Sequence, residues 1–363
     1  MNITKEQVLD ALKYVDDPDL KKDLVTLGMV KDVVVEGKNV SFTVVLTTPA
    51  CPMKDMIHKA CVNAILHFVD KEANVNVNMT ANVTSNRGND KPLLPKVKNI
   101  IAIASGKGGV GKSTVASNLA VALAMQGAKV GLIDADIYGP SVPIMFDVVH
   151  EKPELKQIDG KNMMIPVESY GVKLLSIGFF ADPSQAIVWR GPMASRALNQ
   201  LFSDANWGEL DYLLVDLPPG TGDIHLSLVA AVPLTGVIIV STPQQVALAD
   251  ARKGVGMFQL PNINVPILGI VENMAYFTPA ELPDNKYYIF GQGGAEALAE
   301  ELKFPLLGQI PLVQSICEAG DAGRPAVLQE TTPQALAFRE LAQNVAQQVA
   351  IKNANEPRKE MVN

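Results

Sequence analysis

The stretch that decides the fold reads Gly106-Lys107-Gly108-Gly109-Val110-Gly111-Lys112-Ser113-Thr114. An apolar run, Ile100 to Ala104, precedes it, and a helical pattern through about Gln126 follows it. The spacing satisfies G-x-x-x-x-G-K-[ST] in the strand, loop and helix order that a phosphate-binding loop requires. A glycine-rich turn without a ligand is the alternative, but context, spacing and both polar side chains favour the phosphate site.

The chemistry of this loop follows from its residue types. Glycines let backbone N–H groups turn toward a β-phosphate, and the helix N-terminus that follows favours negative charge. We expect Lys112 to neutralise the β- and γ-oxygens and Ser113 to offer its hydroxyl to Mg²⁺. Every residue from Gly106 to Thr114 is therefore a predicted nucleotide contact.

Short apolar runs alternate with helical patterns over the rest of the chain. The runs are Ile100 to Ala104, Val130 to Ile133, Leu174 to Ile177, Tyr212 to Val215, Val237 to Val240, Ile267 to Val271 and Leu306 to Ile310. Apolar runs without polar alternation, separated by helices, are typical of a parallel sheet that is covered on both faces. We predict an α/β fold, a doubly wound and mostly parallel sheet, over residues 99–352.

The preceding residues predict a different, smaller unit. A capping-box arrangement at Thr4 and Gln7 opens a helix, and two β-rich runs joined at Gly37-Lys38 follow it. With a second helix to about Asp70 and a final alternating run, the order α-β-β-α-β describes a small α+β domain over residues 1–85. Residues 86–98 are the predicted linker, and residues 353–363 a polar, frayed tail.

Carboxylates close two of the predicted strands. Asp134 and Asp136 follow one, and Asp216 ends another before a Pro-Pro-Gly turn. Because ligands of open α/β sheets bind at the carboxyl ends of the strands, these side chains are expected near the phosphate loop. Capping of a turn is the alternative for the first two.

Composition limits the partners. The chain has 363 residues and a net charge of −7, with no long basic run, which argues against duplex nucleic acid as a partner. Its most apolar later stretch is broken by Pro233 and Gly236 and is too short to span a bilayer. Three widely spaced cysteines suit a reducing cytosol and cannot form a four-ligand metal site in one chain. We expect a cytoplasmic protein that binds neither membrane nor nucleic acid.

The additional lysine, Lys107, gives the loop a resemblance to the deviant Walker A form of the MinD, ParA, ArsA and nitrogenase-iron-protein class. The resemblance implies a homodimer in which this lysine reaches the partner's phosphates, so Lys107 and Lys112 are expected catalytic residues. It also implies Asp136 as the residue that orients the attacking water, Asp134 as its support, and Asp216 as a Mg²⁺ holder through water. With no guanine-reading motif in the chain, ATP is favoured, and Asn273 and Pro311 match positions that contact the base.

Six further segments resemble the Mrp/ApbC family of iron-sulfur cluster carriers over residues 99–330. They are Asp134 to Ser141, Trp189 to Met193, Asp216 to Asp223, Ser241 to Gln244, Glu272 to Met274 and Glu318 to Asp321. The first domain, with Asp17 to Leu20, Leu27 to Val30 and Thr47 to Pro52, resembles a SufT-like module. The resemblance implies an ATP-hydrolysing carrier that delivers clusters, [4Fe-4S] in type, to apoproteins and works with iron-sulfur assembly scaffolds.

One departure bears on the cargo. Members of this family usually carry Cys-x-x-Cys where this chain has Thr278 and Glu281, and a hydroxyl and a carboxylate are poor ligands for a cluster that needs soft thiolates. Cys51, before a predicted helix, is the remaining candidate ligand, and a helix N-terminus lowers the pKa of a thiol. A small buried hydrophobe is the alternative for Cys51.

Three functions therefore remain open. The first is the cluster carrier. The second is a nucleotide-switched scaffold or metallochaperone that carries no cluster. The third, a positioning ATPase acting on membrane or nucleoid, needs a basic surface or a cationic amphipathic helix, and the last predicted helix has few cations.

Overall fold

The computed structural model describes residues 3–85, 93–137, 139–180, 191–220, 222, 225, 228–229, 232–279, 281–282 and 284–355. The chain divides into two compact units, Met1–Asn86 together with Ala346–Asn363, and Arg87–Val345. In the part of the chain that is described, no helix has the length and apolar character needed to cross a membrane.

The first unit contains a three-stranded sheet, a separate two-stranded sheet, two helices of its own and the end of the last helix of the chain. Its helices are α1 (Lys5–Leu12) and α2 (Lys54–Phe68), and its strands are β1 (Asp16–Asp17), β2 (Lys22–Asp23), β3 (Val30–Glu36), β4 (Asn39–Leu46) and β5 (Asn74–Ala81). The predicted capping box at Thr4 and Gln7 starts α1. β3 and β4 form the predicted hairpin, and β5 runs parallel to β4. Val40, Phe42 and Val44 alternate into the core, as their spacing predicts.

The second unit is built on an eight-stranded sheet. Its strands in chain order are β6 (Val97–Ala104), β7 (Val130–Asp134), β10 (Val167–Ser169), β11 (Val172–Ser176), β12 (Leu210–Asp216), β13 (Gly236–Ser241), β14 (Ile267–Phe277) and β15 (Leu306–Leu312), and a separate hairpin comprises β8 (Glu154–Ile158) and β9 (Lys161–Ile165). The order across the sheet is β10-β11-β7-β12-β6-β13-β14-β15. Every pair is parallel except β10 with β11.

Helices connect the strands. They are α3 (Lys112–Met125), α4 (Val142–Met145), α5 (Gly191–Ser203), α6 (Gln245–Phe258), α7 (Gly294–Leu302), α8 (Gln314–Asp321) and α9 (Pro333–Asn355). The central strands β7, β12 and β13 are buried almost throughout, which agrees with a sheet covered on both faces. The predicted α/β class with a mostly parallel sheet is confirmed, and the carboxyl ends of β6, β7, β12 and β14 meet at one edge.

The structure differs from the sequence pattern in several features. The β8–β9 hairpin and the antiparallel edge strand β10 are short and partly exposed, so their apolar period is weak. Residues 97–98 of the predicted linker already belong to β6. The predicted frayed tail is wrong for residues 353–355, which continue α9, because Asn353 is buried and its amide donates to the Thr84 carbonyl over 2.9 Å.

Candidate functional site

The glycine-rich loop lies between β6 and α3, where the sequence predicts it. Gly109 and Gly111 have φ angles of +82° and +77°, in the left-handed region that favours glycine. Asn273, within β14, packs directly on the loop, since its Nδ2 donates to the Val110 carbonyl over 2.8 Å. A Cβ atom on Gly111 would lie 2.2 Å from that Nδ2, so only glycine leaves room for this contact.

The first glycine of the loop is held just as closely. A Cβ atom on Gly106 would lie 2.2 Å from the carbonyl carbon of Asp250 in α6. Ser105 fixes the next turn, because its hydroxyl donates to the Lys107 carbonyl over 3.0 Å. Lys107 itself is half-buried, whereas Gly108 and Gly109 are exposed. The loop is thus anchored at both ends while its middle faces solvent.

Lys112 and Asp216 form a buried ion pair at the base of the loop. Lys112 Nζ lies 2.5 Å from Asp216 Oδ1 and 3.5 Å from Ser113 Oγ. The side chains are only 6% and 0% exposed. Burial raises the pKa of Asp216, while the Lys112 ammonium opposes that rise. Asp216 Oδ2 is buried and has no hydrogen-bond partner among the described residues, so the carboxylate keeps one acceptor for a further donor.

Asp134 is a second buried carboxylate beside Asp216. It accepts hydrogen bonds from the Val142 and Asp136 backbone N–H groups at 3.1 and 3.2 Å and from the Ser176 hydroxyl at 3.0 Å. Burial and the nearby Asp216 charge raise the pKa of Asp134 to about 7. The contact to Asp136 N places Asp134 beside Asp136, which is itself half-buried at the same edge.

The turn after Asp216 is tied to both neighbouring strands. The Asp216 carbonyl accepts from Ala135 N over 2.9 Å, and Leu217 N donates to the Ile103 carbonyl over 3.0 Å. Gly220 then donates its N–H to the Ser105 carbonyl over 3.0 Å, with φ at +94°. These bonds place the Pro-Pro-Gly turn against the start of the phosphate loop.

A cavity of about 420 Å³ opens beside the loop. Its wall includes Gly111 and Thr114 from the loop, the predicted base contacts Asn273 and Pro311, and Cys317 from α8. A cavity that joins a phosphate loop to apolar side chains can hold a base while the phosphates lie in the loop.

Sequence reasoning missed three residues at this edge. Glu272 is fully buried and accepts from Ala295 N at 2.6 Å and from Gln309 Nε2 at 3.0 Å, which joins β14 to α7 and β15. His225 is buried behind the Pro-Pro-Gly turn. Cys317 is exposed and lines the cavity. A polar residue inside an apolar stretch is a signal for the first two, but the partners of Glu272 are 23 and 37 residues away in sequence.

The candidate cargo ligands are Cys51 in the first unit and the segment after β14 in the second. Cys51 is half-buried just before α2, and burial, aided by the Asp19 and Asp17 charges, raises the pKa of its thiol. The expected lowering by a helix N-terminus is therefore wrong, because burial outweighs it. Thr278 and Glu281 follow β14 and supply no thiolate. No group of three or more His, Cys, Asp or Glu side chains suited to a metal ion occurs among the described residues.

Three comparisons bear on these observations. Residues 96–346 match the family described as NUBPL iron-transfer P-loop NTPase, and residues 5–79 match the family described as iron-sulfur cluster assembly protein. A Synechocystis sp. protein named iron-sulfur cluster carrier protein is 48% identical over 96% of this chain and 99% of its own length. The Escherichia coli K12 protein of that name is 42% identical over 95% of this chain and 92% of its own length.

Two further matches come from a plant protein and a solved structure. The Arabidopsis thaliana Fe-S cluster assembly factor HCF101, chloroplastic, is 43% identical over 96% of this chain and 64% of its own length. A nucleotide-binding protein from Archaeoglobus fulgidus, solved in complex with ADP, has a TM-score of 0.58 and 38% identity over 68% of this chain and 94% of that chain.

The sheet order, the phosphate loop and the buried lysine–aspartate pair together define the class of protein. This chain is a P-loop NTPase. Within that class, the chain belongs to the NUBPL iron-transfer P-loop NTPase family, whose match spans most of its length. Two segments contributed to the resemblance but are not described in full by the structure. They are Trp189 to Met193 and Asp216 to Asp223.

Proposed function

We propose that this protein binds and hydrolyses ATP with Mg²⁺ and uses the nucleotide state to carry iron-sulfur clusters to apoproteins. The observation that carries the nucleotide half is the buried pair of Lys112 and Asp216, with one Asp216 oxygen left without a hydrogen-bond partner in the described part of the chain. The family match and the names of the relatives support the carrier half.

ATP binding would rearrange the buried pair. The phosphates of ATP compete with Asp216 for the Lys112 ammonium, since both are anions within its reach. Ser113 and, through water, Asp216 would hold Mg²⁺, which supplies further neutralisation of phosphate charge. Asp136 is the proposed group that orients the attacking water, with Asp134 fixing its backbone over 3.2 Å. Asn273 and Pro311, both in the cavity wall, are the proposed base contacts.

The proposed active state is a homodimer. Lys107 is half-buried in the loop and is not needed for the Lys112–Asp216 pair. In the proposed dimer it contacts the phosphates bound by the partner, so that hydrolysis requires two chains. The setting is the cytoplasm, where thiols stay reduced.

The cluster is the cargo, and Cys51 is the proposed ligand. It is half-buried, whereas Cys61 is fully buried in the core, where burial raises its thiol pKa to about 12. Acceptors of the cargo would be apoproteins, with iron-sulfur assembly scaffolds as donors. One observation favours the second candidate, a nucleotide-switched scaffold or metallochaperone: the positions of the family's cysteine pair are Thr278 and Glu281, which hold clusters poorly.

Anaerobic reconstitution separates the two candidates. We expect iron and sulfide to be retained by the wild type and lost in Cys51→Ala, with Cys61→Ala as the control for a cysteine of the same unit. Transfer to an apo-acceptor should follow the same pattern. A protein that hydrolyses ATP but retains no cluster would contradict the carrier and leave the scaffold. A wild type without ATP turnover, alone or with an acceptor, would contradict the nucleotide half.

A further inference from the structure

The imidazole ring of His225 is buried and contacts the Pro-Pro-Gly turn that follows Asp216. It is 2% exposed, and its Nε2 lies 2.8 Å from the Pro218 carbonyl oxygen. Because a carbonyl oxygen can only accept, Nε2 carries the proton and donates it. Burial lowers the pKa of His225, the Pro218 carbonyl opposes that shift, and the Lys112 charge adds to it.

The Pro218 carbonyl belongs to a turn that lacks donors of its own. Pro218 and Pro219 have no N–H group, so neither can donate to a neighbouring strand. The residues on either side of the two prolines are held by backbone hydrogen bonds. Leu217 N donates to the Ile103 carbonyl and Gly220 N donates to the Ser105 carbonyl, each over 3.0 Å. Between those two anchors, the imidazole supplies a side-chain bond to the middle of the turn.

The turn has two ends that matter for the proposed reaction. Asp216, at its start, pairs with Lys112 over 2.5 Å. Gly220, at its end, lies against Ser105, whose hydroxyl fixes the Lys107 carbonyl over 3.0 Å. A shift in the middle of the turn would therefore move the Gly220 N–H relative to the phosphate loop.

We propose that His225 is a positioning residue for ATP hydrolysis, which fixes the Pro-Pro-Gly turn through its Nε2–H bond to Pro218 so that Gly220 stays against Ser105 at the start of the phosphate loop. This inference rests on the proposed ATP hydrolysis. His225 does not touch the nucleotide in this role, so it acts on turnover and leaves nucleotide affinity nearly unchanged.

Three variants of the full chain separate the hydrogen bond from packing. His225→Gln places an amide nitrogen near the position of Nε2, and His225→Asn places one near Nδ1, which does not reach Pro218. His225→Phe fills similar space without a donor. We expect the Gln variant to keep kcat within about twofold, and the Asn and Phe variants to lose about five- to tenfold in kcat, the effect of one hydrogen bond. KM for ATP should change by less than about twofold in all three.

Melting temperatures and the affinity for a fluorescent ATP analogue accompany the kinetics. If the Asn and Phe variants fold and turn over ATP like the wild type, the inference is wrong. It is also wrong if the Gln variant melts like the wild type but loses as much kcat as the Asn variant, or if the losses occur in KM. Should Asn and Phe fail to fold, the Gln variant alone still decides. A wild type without ATP turnover would contradict the proposed function, whereas an active wild type with unaffected variants contradicts only the role of His225.

Discussion

The Lys112 ammonium lies 2.5 Å from Oδ1 of Asp216, and both side chains are buried. Removing one member of such a pair leaves the other charge uncompensated, at a cost of about 3–5 kcal/mol. Lys112→Ala should therefore abolish ATP turnover and also destabilise the nucleotide-free protein. The double variant with Asp216→Asn should recover part of the lost stability.

Urea denaturation of the wild type, both single variants and the double variant measures this coupling. Lys107→Ala is the matched control, because Lys107 is half-buried and lies outside the buried pair. It should lose turnover through the proposed dimer but keep the wild-type free energy of unfolding. Strict additivity of the two single variants would show that the ion pair contributes nothing.

The second prediction concerns pH. The pKa of Asp134 is raised from 3.8 to about 7 by burial and by Asp216. A raised pKa means that the folded state favours the protonated form, so this contribution to stability is complete below about pH 4 and is lost as pH rises toward 7. The nucleotide-free protein should lose stability over that interval, and Asp134→Asn, which cannot ionise, should lose less.

Thermal unfolding of the wild type and of Asp134→Asn is measured at each pH. The difference between their stabilities is then compared across the pH range. Carboxylates with lowered pKa values, such as those of half-buried Asp23 and exposed Glu301, contribute slopes of the opposite sign but are present in both proteins. Identical slopes for wild type and Asp134→Asn would show that the pKa of Asp134 does not differ between the folded and the unfolded protein.

The third prediction compares two glycines of the loop. A Cβ atom on Gly106 would lie 2.2 Å from the Asp250 backbone, whereas one on Gly108 would meet nothing nearer than 3.9 Å. Gly106→Ala should cost about 1–3 kcal/mol in the free energy of unfolding through overpacking. Gly108→Ala should leave stability within about 0.5 kcal/mol of the wild type. Equal melting temperatures for the two variants would contradict the close approach of α6.

The fourth prediction uses Cys317 as a reporter of nucleotide. It is exposed and lies in the wall of the cavity beside the phosphate loop. ATP with Mg²⁺ should slow its alkylation by iodoacetamide at least about tenfold once the site is saturated, since bound ligand blocks access. Mass spectrometry of the alkylated peptide measures the rate, and Lys112→Ala is the control in which ATP gives no protection. Protection that persists in that variant would place the nucleotide elsewhere.

The fifth prediction concerns the relative reactivity of the Cys51 and Cys61 thiols. Burial raises the pKa of Cys51, and that of Cys61 reaches about 12. Since the thiolate is the reactive form, Cys51 should react slowly at pH 7.5 and faster as the pH rises, and Cys61 only after unfolding. The Asp19 charge contributes to the shift, so Asp19→Asn should speed the reaction of Cys51. A Cys51 more reactive than Cys317 at neutral pH would overturn this order.

The parts of the structure that depend on local pattern were predictable. The strand before Gly106 and the helix after Gly111 follow from apolar periodicity, and the loop between them follows from a spacing that phosphate chemistry dictates. Asp134 and Asp216 were found because parallel strands bring their carboxyl ends to one edge.

Contacts between distant segments could not be predicted. Glu272 meets Ala295 and Gln309, 23 and 37 residues further along the chain, and neither pair leaves a mark in the local sequence. The packing of Gly106 on Asp250 is of the same kind. For Cys51, position before a helix suggested a lowered pKa, but the extent of burial depends on the folded core and reverses the direction.

The last helix, α9, includes residues of both units. Its residues through Val345 belong to the second unit, and its residues from Ala346 belong to the first. Within the first unit, Gln347 donates to Asp19, and Asn353 donates to the Thr84 carbonyl. A fragment cut after residue 85 would lose both donors. Separate expression of the small unit therefore calls for a circular permutation or a complementing peptide that restores residues 346–355.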